Sequence, residues 1–233
     1  MKKLESFECE HESEAEHANN RKPLIIWDWN GTLLDDLDDA VTALNRMLVA
    51  RDCAPTTKAY YRAHFGFPVR PFYAELGVDL AKWDWDQICI DFHQFFAEAQ
   101  AKKIRDGARD ALELAKTLGF RQGLLSAHRE DMLREAVAEA GLAAYFDFIA
   151  GTDNLDGASK LARGRQEFAS RPADERRIFI GDTLHDAEVA KALGGRCILV
   201  SCGHQTAERL VAASCSIVDD LMAAVRLAAT SYR

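Results

Sequence analysis

Short apolar runs alternate with amphipathic segments along most of the chain. The first run, Leu24–Trp27, is wholly apolar and leads directly into Asp28, which predicts a buried strand that delivers this aspartate into a loop. After Gly107, further strand patterns occur at Arg121–Leu125, Phe146–Ala150, Arg177–Ile180 and Cys197–Val200. Helix patterns lie between them, at Ala108–Leu118, Arg129–Ala140, Ser159–Ala169 and Ala187–Leu193, with one more from Thr206 and one near Leu221–Ala229. This alternation predicts an α/β fold with a doubly wound parallel sheet.

A wholly helical stretch separates the first strand from the alternating part. Apolar residues recur at helical spacing from Leu37 to Leu48 and the pattern stops before Pro55, which predicts a helix over Leu37–Arg51. Three more helices are predicted at Thr57–His64, Val69–Leu76 and Trp85–Ala101. We therefore expect an all-helical domain, residues 37–104, inserted into a core formed by residues 23–36 and 105–233.

Residues 1–22 and the overall composition limit the classes of partner. The first 22 residues are rich in Glu and His and nearly lack apolar side chains, which predicts a flexible acidic tail and not a signal peptide. The formal net charge of −8 disfavours nucleic acid and anionic membranes, so a phosphate-bearing ligand needs a locally positive site. The six cysteines are scattered without a CxxC pair, which is typical of reduced thiols in a cytoplasmic protein.

Polar residues follow the predicted strands at the edge where ligands bind in such folds. Asp28-Trp29-Asn30-Gly31-Thr32 follows the first strand and Ser126 the second, Lys160 lies on a later helix, and Gly181-Asp182 with Asp186 follows the fourth strand. Each cluster alone has a structural explanation, such as a helix cap or a solvated lysine. Their order along the chain, each after its own strand, favours a functional site.

These four motifs resemble those of the haloacid dehalogenase superfamily, in particular its phosphoglycolate-phosphatase-like subgroup. The resemblance covers nearly all of residues 23–233. It implies a Rossmann-like core with a helical cap domain inserted after the first motif, as residues 37–104 are placed. It also implies phosphoryl transfer through an aspartyl-phosphate, here on Asp28, since a carboxylate is already ionised at neutral pH.

The remaining motif residues then receive roles that suit phosphoryl transfer. Hard oxygen ligands for Mg²⁺ are expected from Asp28, the backbone carbonyl of Asn30, Asp182 and Asp186. The hydroxyls of Thr32 and Ser126 are expected to bind the substrate phosphate, and Lys160 to supply positive charge beside Asp28. We expect a magnesium-dependent phosphatase of a small phosphorylated metabolite; the sequence does not determine its natural substrate or its oligomeric state.

Asn30 departs from the family pattern, in which an aspartate at this position carries protons to and from the reacting groups. An amide cannot do so, and loss of a general acid or base typically costs about 10²–10⁴ in rate. Three explanations stay open. Another group acts instead, with candidates Asp35, Asp36, His128 and His185; the leaving group needs no proton, as in acyl or aryl phosphates; or Asn30 deamidates, because Gly31 follows it.

Two further features concern the substrate. Ala127 stands after Ser126 where the family often has asparagine, which leaves one substrate contact unassigned. In the predicted cap, Arg70 is a candidate for binding a substrate anion, although a surface arginine is commoner at such a turn. The cap aromatics are expected to pack its interior, and His204 either borders the site or caps a helix; these aromatics are Trp83, Trp85, Phe92, Phe95 and Phe96.

Two other functions compete with the phosphatase. One is a phosphate-binding or regulatory protein that turns over weakly because of Asn30. The other is a haloacid dehalogenase, in which halide leaves without an acid. Asp182 and Asp186 disfavour the second, because dehalogenation does not need a metal.

Overall fold

A computed structural model describes residues 22–99, 103–153, 160–172 and 174–230. The predicted acidic tail, residues 1–22, lies outside this part of the chain except for Lys22. The same holds for Ala101, at the end of one predicted helix, and for Ser159, at the start of another.

Six parallel strands form a single sheet in the order β3-β2-β1-β4-β5-β6. They are β1 (Leu24–Trp27), β2 (Arg121–Arg129), β3 (Phe148–Thr152), β4 (Arg177–Gly181), β5 (Arg196–Val200) and β6 (Ser216–Val218). Because β1 lies between β2 and β4, the direction of winding reverses beside it, and the crevice at that point is where ligands bind in such sheets. The doubly wound, Rossmann-like α/β fold predicted from the sequence is confirmed.

Ten α-helices accompany the sheet in the described residues. The first four follow β1 directly and are α1 (Leu37–Val49), α2 (Lys58–His64), α3 (Val69–Glu75) and α4 (Trp85–Ala99). The others alternate with the strands: α5 (Ala108–Thr117), α6 (Glu130–Glu139), α7 (Lys160–Phe168), α8 (Leu184–Ala192), α9 (Ala207–Leu210) and α10 (Leu221–Thr230).

Strand β1 is buried on both faces, which explains its unbroken apolar sequence. Ile25 and Trp27 belong to the apolar cluster on one side of the sheet, and Leu24 and Ile26 to the cluster on the other. Strands covered by helices on both faces need apolar residues at every position, not at every second one.

The helices α1 to α4 share an apolar cluster of their own, which includes Leu44, Tyr61, Phe72 and Ile88. The two connections to the core run side by side, since Asp35 N donates to the carbonyl of Lys103 and Arg105 N to that of Leu33, each at 2.9 Å. This arrangement suits an inserted cap; its exact bounds, residues 37–104, stay a prediction.

The structure adds one strand that the hydrophobic pattern did not predict. Strand β6 pairs with β5 over only three residues, of which the first is the polar Ser216. Such a short edge strand has too few positions to show a period of two. Strand β3 also lies two residues later than predicted, because Ala143–Tyr145 forms a 3₁₀ turn ahead of it.

Within the described residues, no helix combines the length and apolar character required to cross a bilayer. The five cysteines in this part of the chain form no disulfide.

Candidate active site

The polar residues at the carboxyl ends of β1, β2 and β4 meet around one point. Register places β1 beside both other strands, with Trp27 level with Leu124 on one side and Ile180 on the other. Asp28 follows Trp27 directly, and its backbone N–H donates to the Ile180 carbonyl at 2.9 Å. Parallel strands present their last residues at the same edge, which is why motifs far apart in sequence come together here.

Asp28, Asp182 and Asp186 form a buried carboxylate cluster. One oxygen from each lies within 4.8 Å of the other two. Burial raises the pKa of Asp28 from 3.8 to about 8 and that of Asp182 to about 6, and repulsion from Asp186 adds to both. Carboxylates packed this closely away from water are stable in their charged form only beside a cation. Their hard oxygen donors fit a divalent ion such as Mg²⁺.

Lys160, at the first turn of α7, is the positive charge beside this cluster. Its Nζ atom donates to Asp28 Oδ1 at 2.6 Å and to Asp186 Oδ1 at 2.5 Å. Burial opposes a charge here, but the two carboxylates reverse that effect and raise the pKa of Lys160. Lys160 affects the two carboxylates unequally. Its charge holds the pKa of Asp186 below the ordinary value despite burial, whereas burial keeps the pKa of Asp28 raised.

Asp186 is held rigidly because it also closes the first turn of α8. Its Oδ2 atom accepts from the backbone N–H of Thr183 at 3.0 Å and from the Thr183 hydroxyl at 2.7 Å. Thr183 and Asp186 thus form a capping box, which fixes the start of the helix. The helix cap and the carboxylate cluster share one side chain.

Asn30 is engaged by a carboxylate, Asp36, that follows it by six residues. Asn30 Nδ2 donates to Asp36 Oδ2 at 2.7 Å, and the Gly31 N–H donates to Asp36 Oδ1 at 2.7 Å. Asp36 is 2% exposed and also contacts His204 Nε2 at 3.1 Å. This chain of contacts orients the Asn30 amide with its oxygen away from Asp36.

His204 links this group to the carboxylate cluster and to the helical part. Its backbone N–H donates to Asp182 Oδ2 at 2.6 Å, and its Nδ1 atom lies 3.0 Å from the Tyr61 hydroxyl. Burial alone would lower the pKa of His204, but the charge of Asp36 raises it to about 9. The pKa of Asp36 is correspondingly lowered despite its burial. We therefore describe Asp36 and His204 as a buried ion pair.

The three predicted substrate-binding residues differ in their contacts and in whether they line the cavity. Ser126 lines the cavity above Asp28, and its oxygen accepts from the His128 N–H at 3.1 Å, which leaves its own O–H to donate. Thr32 is fully buried and donates its hydroxyl to Asp182 Oδ1 at 3.1 Å. Arg70 is exposed, with its guanidinium 5.0 Å from the centre of the Trp85 ring, and it is not among the residues that line the cavity.

Two glycines allow the backbone to approach the Asp182 carboxylate closely. A Cβ atom at Gly31, which has a φ of +75°, would lie 2.2 Å from Asp182 Oδ2, and one at Gly203 would lie at the same distance. No side chain fits at either position without moving the aspartate. The absence of a side chain at both positions leaves room for Asp182 beside Asp28.

A cavity of about 930 Å³, its open mouth included, lies above the cluster. Its floor includes Asp28, Asn30, Ser126, Lys160 and Asp186. Its upper wall comes from the helices α1 to α4 and is largely aromatic. Phe92 and Phe96 belong to this wall, whereas Trp83, Trp85 and Phe95 do not line the cavity.

Sequence patterns gave no role to several residues of this site. Tyr61 and His93 line the cavity, yet each is one of several polar side chains in its helix, so the helix pattern does not single it out. Of the four candidates to replace a proton carrier, Asp36, His128 and His185 line the cavity, and Asp35 instead pairs with Arg105 at 3.2 Å. The sequence clue for these four candidates was their position close to the motif residues along the chain.

Several known proteins are similar to this chain in sequence or in fold. The family model described as haloacid dehalogenase-like hydrolase matches residues 25–200. A phosphoglycolate phosphatase of Pseudomonas putida is 26% identical over 212 residues, covering 86% of this chain and 77% of that protein. The Dickeya dadantii protein named "Probable phosphatase IndB" is 25% identical over 219 residues, covering 88% and 92%. A haloacid dehalogenase-like hydrolase structure from Streptococcus pneumoniae has a TM-score of 0.71 at 17% identity, covering 88% and 98% of the two chains, which shows a shared fold.

Proposed function

Because the chain belongs to the haloacid dehalogenase-like hydrolase family, as its motifs indicated, we propose that it is a magnesium-dependent phosphatase that forms an aspartyl-phosphate on Asp28. The observation that carries this proposal is the buried cluster of Asp28, Asp182 and Asp186 with Lys160 bonded to Asp28 at 2.6 Å. The similarity to phosphoglycolate phosphatases supports a small phosphorylated substrate.

The chain's own residues supply most of what phosphoryl transfer requires. An Asp28 oxygen forms a bond to phosphorus, and the bond between phosphorus and the ester oxygen breaks with its electron pair leaving on that oxygen. Water then attacks phosphorus, which breaks the bond to Asp28, restores its carboxylate and releases phosphate. The attacking water loses one proton to solvent, and the departing ester oxygen gains one from solvent. Lys160 orients Asp28 and, with the Ser126 hydroxyl, offers hydrogen-bond donors to the phosphoryl oxygens.

The carboxylate cluster is the proposed place for the metal. Asp28, Asp182 and Asp186 are the proposed carboxylate ligands. The oxygens of Asp182 and Asp186 already accept hydrogen bonds, so these two residues would bind the metal through a remaining lone pair. The backbone carbonyl oxygen of Asn30 is a further proposed ligand. A bound Mg²⁺ supplies positive charge that offsets the carboxylates and the phosphate.

The Thr32 hydroxyl takes a different role from the one expected at first. Since it is fully buried and donates to Asp182 Oδ1, we propose that Thr32 positions this metal ligand and acts on the phosphate only through it. Arg70 keeps no part in the proposed site, because its guanidinium lies over Trp85.

The direct test is to detect the phosphoenzyme. The protein is incubated with acetyl phosphate and Mg²⁺, quenched in acid and digested. The peptide that contains Asp28 should gain the mass of one phosphoryl group, and the gain should vanish on hydroxylamine treatment. Stoichiometric binding of phosphate without any acyl phosphate would instead indicate the phosphate-binding protein, and halide release without metal would indicate a dehalogenase.

Mg²⁺ should raise the melting temperature of the wild type, because it binds the folded cluster and not the unfolded chain. At about 100 times its Kd the ion adds about 2.7 kcal/mol to the free energy of unfolding. Asp182→Asn should lose most of this increase, while Asp110→Asn, on the exposed side of α5, should keep it. Differential scanning calorimetry in EDTA and in Mg²⁺ measures both. Equal increases in the two variants would contradict the assigned metal site.

Exchanging the side chains of Asn30 and Asp36 should raise turnover of alkyl phosphates. Asn30→Asp alone sets two carboxylates against each other at a 2.7 Å contact, whereas the double variant Asn30→Asp, Asp36→Asn keeps an amide–carboxylate hydrogen bond there. The carboxylate then lies on the nucleophile's loop, where a general acid or base is worth about 10²–10⁴ in rate. Steady-state kinetics with an alkyl phosphate should show at least a tenfold rise in kcat, to order of magnitude. Asp36→Asn alone is the control. No rise in the exchanged variant would show that Asn30 does not limit turnover.

A further inference from the structure

The wall of the cavity above Asp28 is a continuous aromatic surface. Tyr61 and Phe65 stack with ring centroids 4.7 Å apart, and Phe92 and Phe96 stack at 6.0 Å. Phe67 and Tyr73 extend the same wall. All of these side chains come from the helical segment between β1 and α5, so this segment lies over whatever group is attached to the phosphate at Asp28.

Several polar atoms on this wall already have partners. The Tyr61 hydroxyl contacts His204 Nδ1, and His204 Nε2 contacts Asp36. His93 Nδ1 lies 2.8 Å from the Cys89 carbonyl, to which it donates. Burial lowers the pKa of His93, and lowers that of His128 to about 4, so both rings are neutral near pH 7. His204 also lines the cavity and is charged, but Asp36 already neutralises it at 3.1 Å. The histidines of the cavity therefore present no unpaired positive charge.

The lysine and arginine side chains of residues 37–99 all have partners away from the cavity. Three form ion pairs, namely Arg46 with Glu98, Arg51 with Asp91 and Lys58 with Asp38. Arg62 donates to the carbonyl oxygens of Ser201, Gly203 and Gln205. Arg70 and Lys82 lie over the rings of Trp85 and Trp83.

Lys160 is consequently the single lysine or arginine among the described residues that line the cavity, and it lies between Asp28 and Asp186. A carboxylate on the leaving group would lie against aromatic rings without an unpaired counter-charge, which is strongly unfavourable. An aromatic ring in the same place gains apolar contact and ring packing.

We propose that the substrate is a phosphate monoester whose leaving group carries an aromatic ring and no carboxylate. This inference rests on the phosphatase function proposed above and specifies its substrate class. The proposed substrate differs from that of the phosphoglycolate phosphatase relatives, whose named substrate carries a carboxylate. Aryl members of this class also lose their leaving group with little need for a proton, which suits Asn30.

The test compares substrates that differ in the ring but not in the type of ester. Benzyl phosphate and phosphoglycolate are both esters of a primary alcohol, so their comparison separates the effect of the ring from that of leaving-group acidity. Phenyl phosphate is the third substrate. The value of kcat/KM should be at least about 100-fold higher for benzyl phosphate than for phosphoglycolate, because the ring gains contacts where the carboxylate remains unpaired.

Two phenylalanines of the same helix provide matched variants. Phe92 lines the cavity, whereas Phe95 lies under the Arg46 guanidinium at 4.3 Å. Both side chains are half-buried. Phe92→Ala should lower kcat/KM for benzyl phosphate by about tenfold, and Phe95→Ala should change it by less than about twofold. Circular dichroism melting checks that both variants are folded.

The outcomes separate this inference from the function on which it rests. Turnover of phosphoglycolate equal to or faster than that of benzyl phosphate would overturn the substrate class and leave the phosphatase intact. Absence of phosphate release from all three substrates would overturn the phosphatase and this inference with it. Calorimetric binding of benzylphosphonate and phosphonoacetate to the Mg²⁺-loaded protein gives the same comparison without turnover, and tighter binding of phosphonoacetate would also overturn the substrate class.

Discussion

Asp28→Asn is expected to reduce phosphate release by at least about 10⁴-fold without unfolding the protein. The amide has the size of the carboxylate but cannot form the acyl phosphate. Lys160 keeps its second partner, Asp186, so its charge stays compensated. Release of phosphate from phenyl phosphate in Mg²⁺ measures the loss. The rate with the variant should equal the rate without enzyme and should not rise as more of the variant is added.

The same substitution should raise stability when the metal is removed. The pKa of Asp28 is about 8 in the folded protein against an ordinary value of 3.8, so the folded state binds more protons than the unfolded chain between these values. Stability that depends on this proton is therefore lost as the pH rises through that window. In EDTA at pH 8, Asp28→Asn should melt at a higher temperature than the wild type. A lower melting temperature would mean that the Asp28 charge stabilises the fold, contrary to its burial.

Lys160→Met is expected to impair both stability and catalysis. It leaves Asp28 and Asp186 buried without their shared counter-charge, and breaking such a pair from one side typically costs about 3–5 kcal/mol. In a chain of this size, that corresponds to a fall of roughly 10 °C in melting temperature. Loss of the charge beside the reacting phosphate should lower kcat by about 10²–10³.

The matched control is Lys191→Met, at an exposed position on α8. It should change the melting temperature by less than about 2 °C, since exposed lysines contribute little. Mg²⁺ should recover part of the stability lost in Lys160→Met, because a second cation near Asp28 offsets the same charge. An equal fall of the melting temperature in EDTA and in Mg²⁺ would show that Lys160 and the metal do not compensate the same charge, which would contradict our account.

Much of the fold and part of the site follow from local sequence alone. The unbroken apolar run Leu24–Trp27 predicted the central strand, because a strand covered on both faces needs apolar residues throughout. The alternation downstream predicted the parallel sheet. Parallel strands bring their carboxyl ends to one edge, so the placement of Asp28 beside Asp182 was also predictable. Asp186 was expected from the family resemblance, as the second aspartate of the motif that begins at Gly181.

The polar contacts around Asn30 could not be predicted in this way. Asp36 was one of four candidates near the site, and no sequence feature distinguished it from the other three. His204 lies 168 residues beyond Asp36, and Tyr61 comes from the helical insertion. Their contacts depend on how a loop of the core and a helix of the insertion meet above the sheet, which hydrophobic periodicity does not specify.

The sequence by itself therefore determined the parallel sheet, through local periodicity, and the convergence of the strand-end polar residues, through the common edge of parallel strands. It indicated the family through the resemblance of its motifs. Only the tertiary structure decided which groups the side chains engage: Thr32 bonds to Asp182, Arg70 lies over Trp85, and Phe92 turns to the cavity while Phe95 does not. The physical reason is that a helix pattern shows which face is apolar but not which element covers it. That choice depends on the packing of the insertion over the core, and it determines the character of the cavity above Asp28.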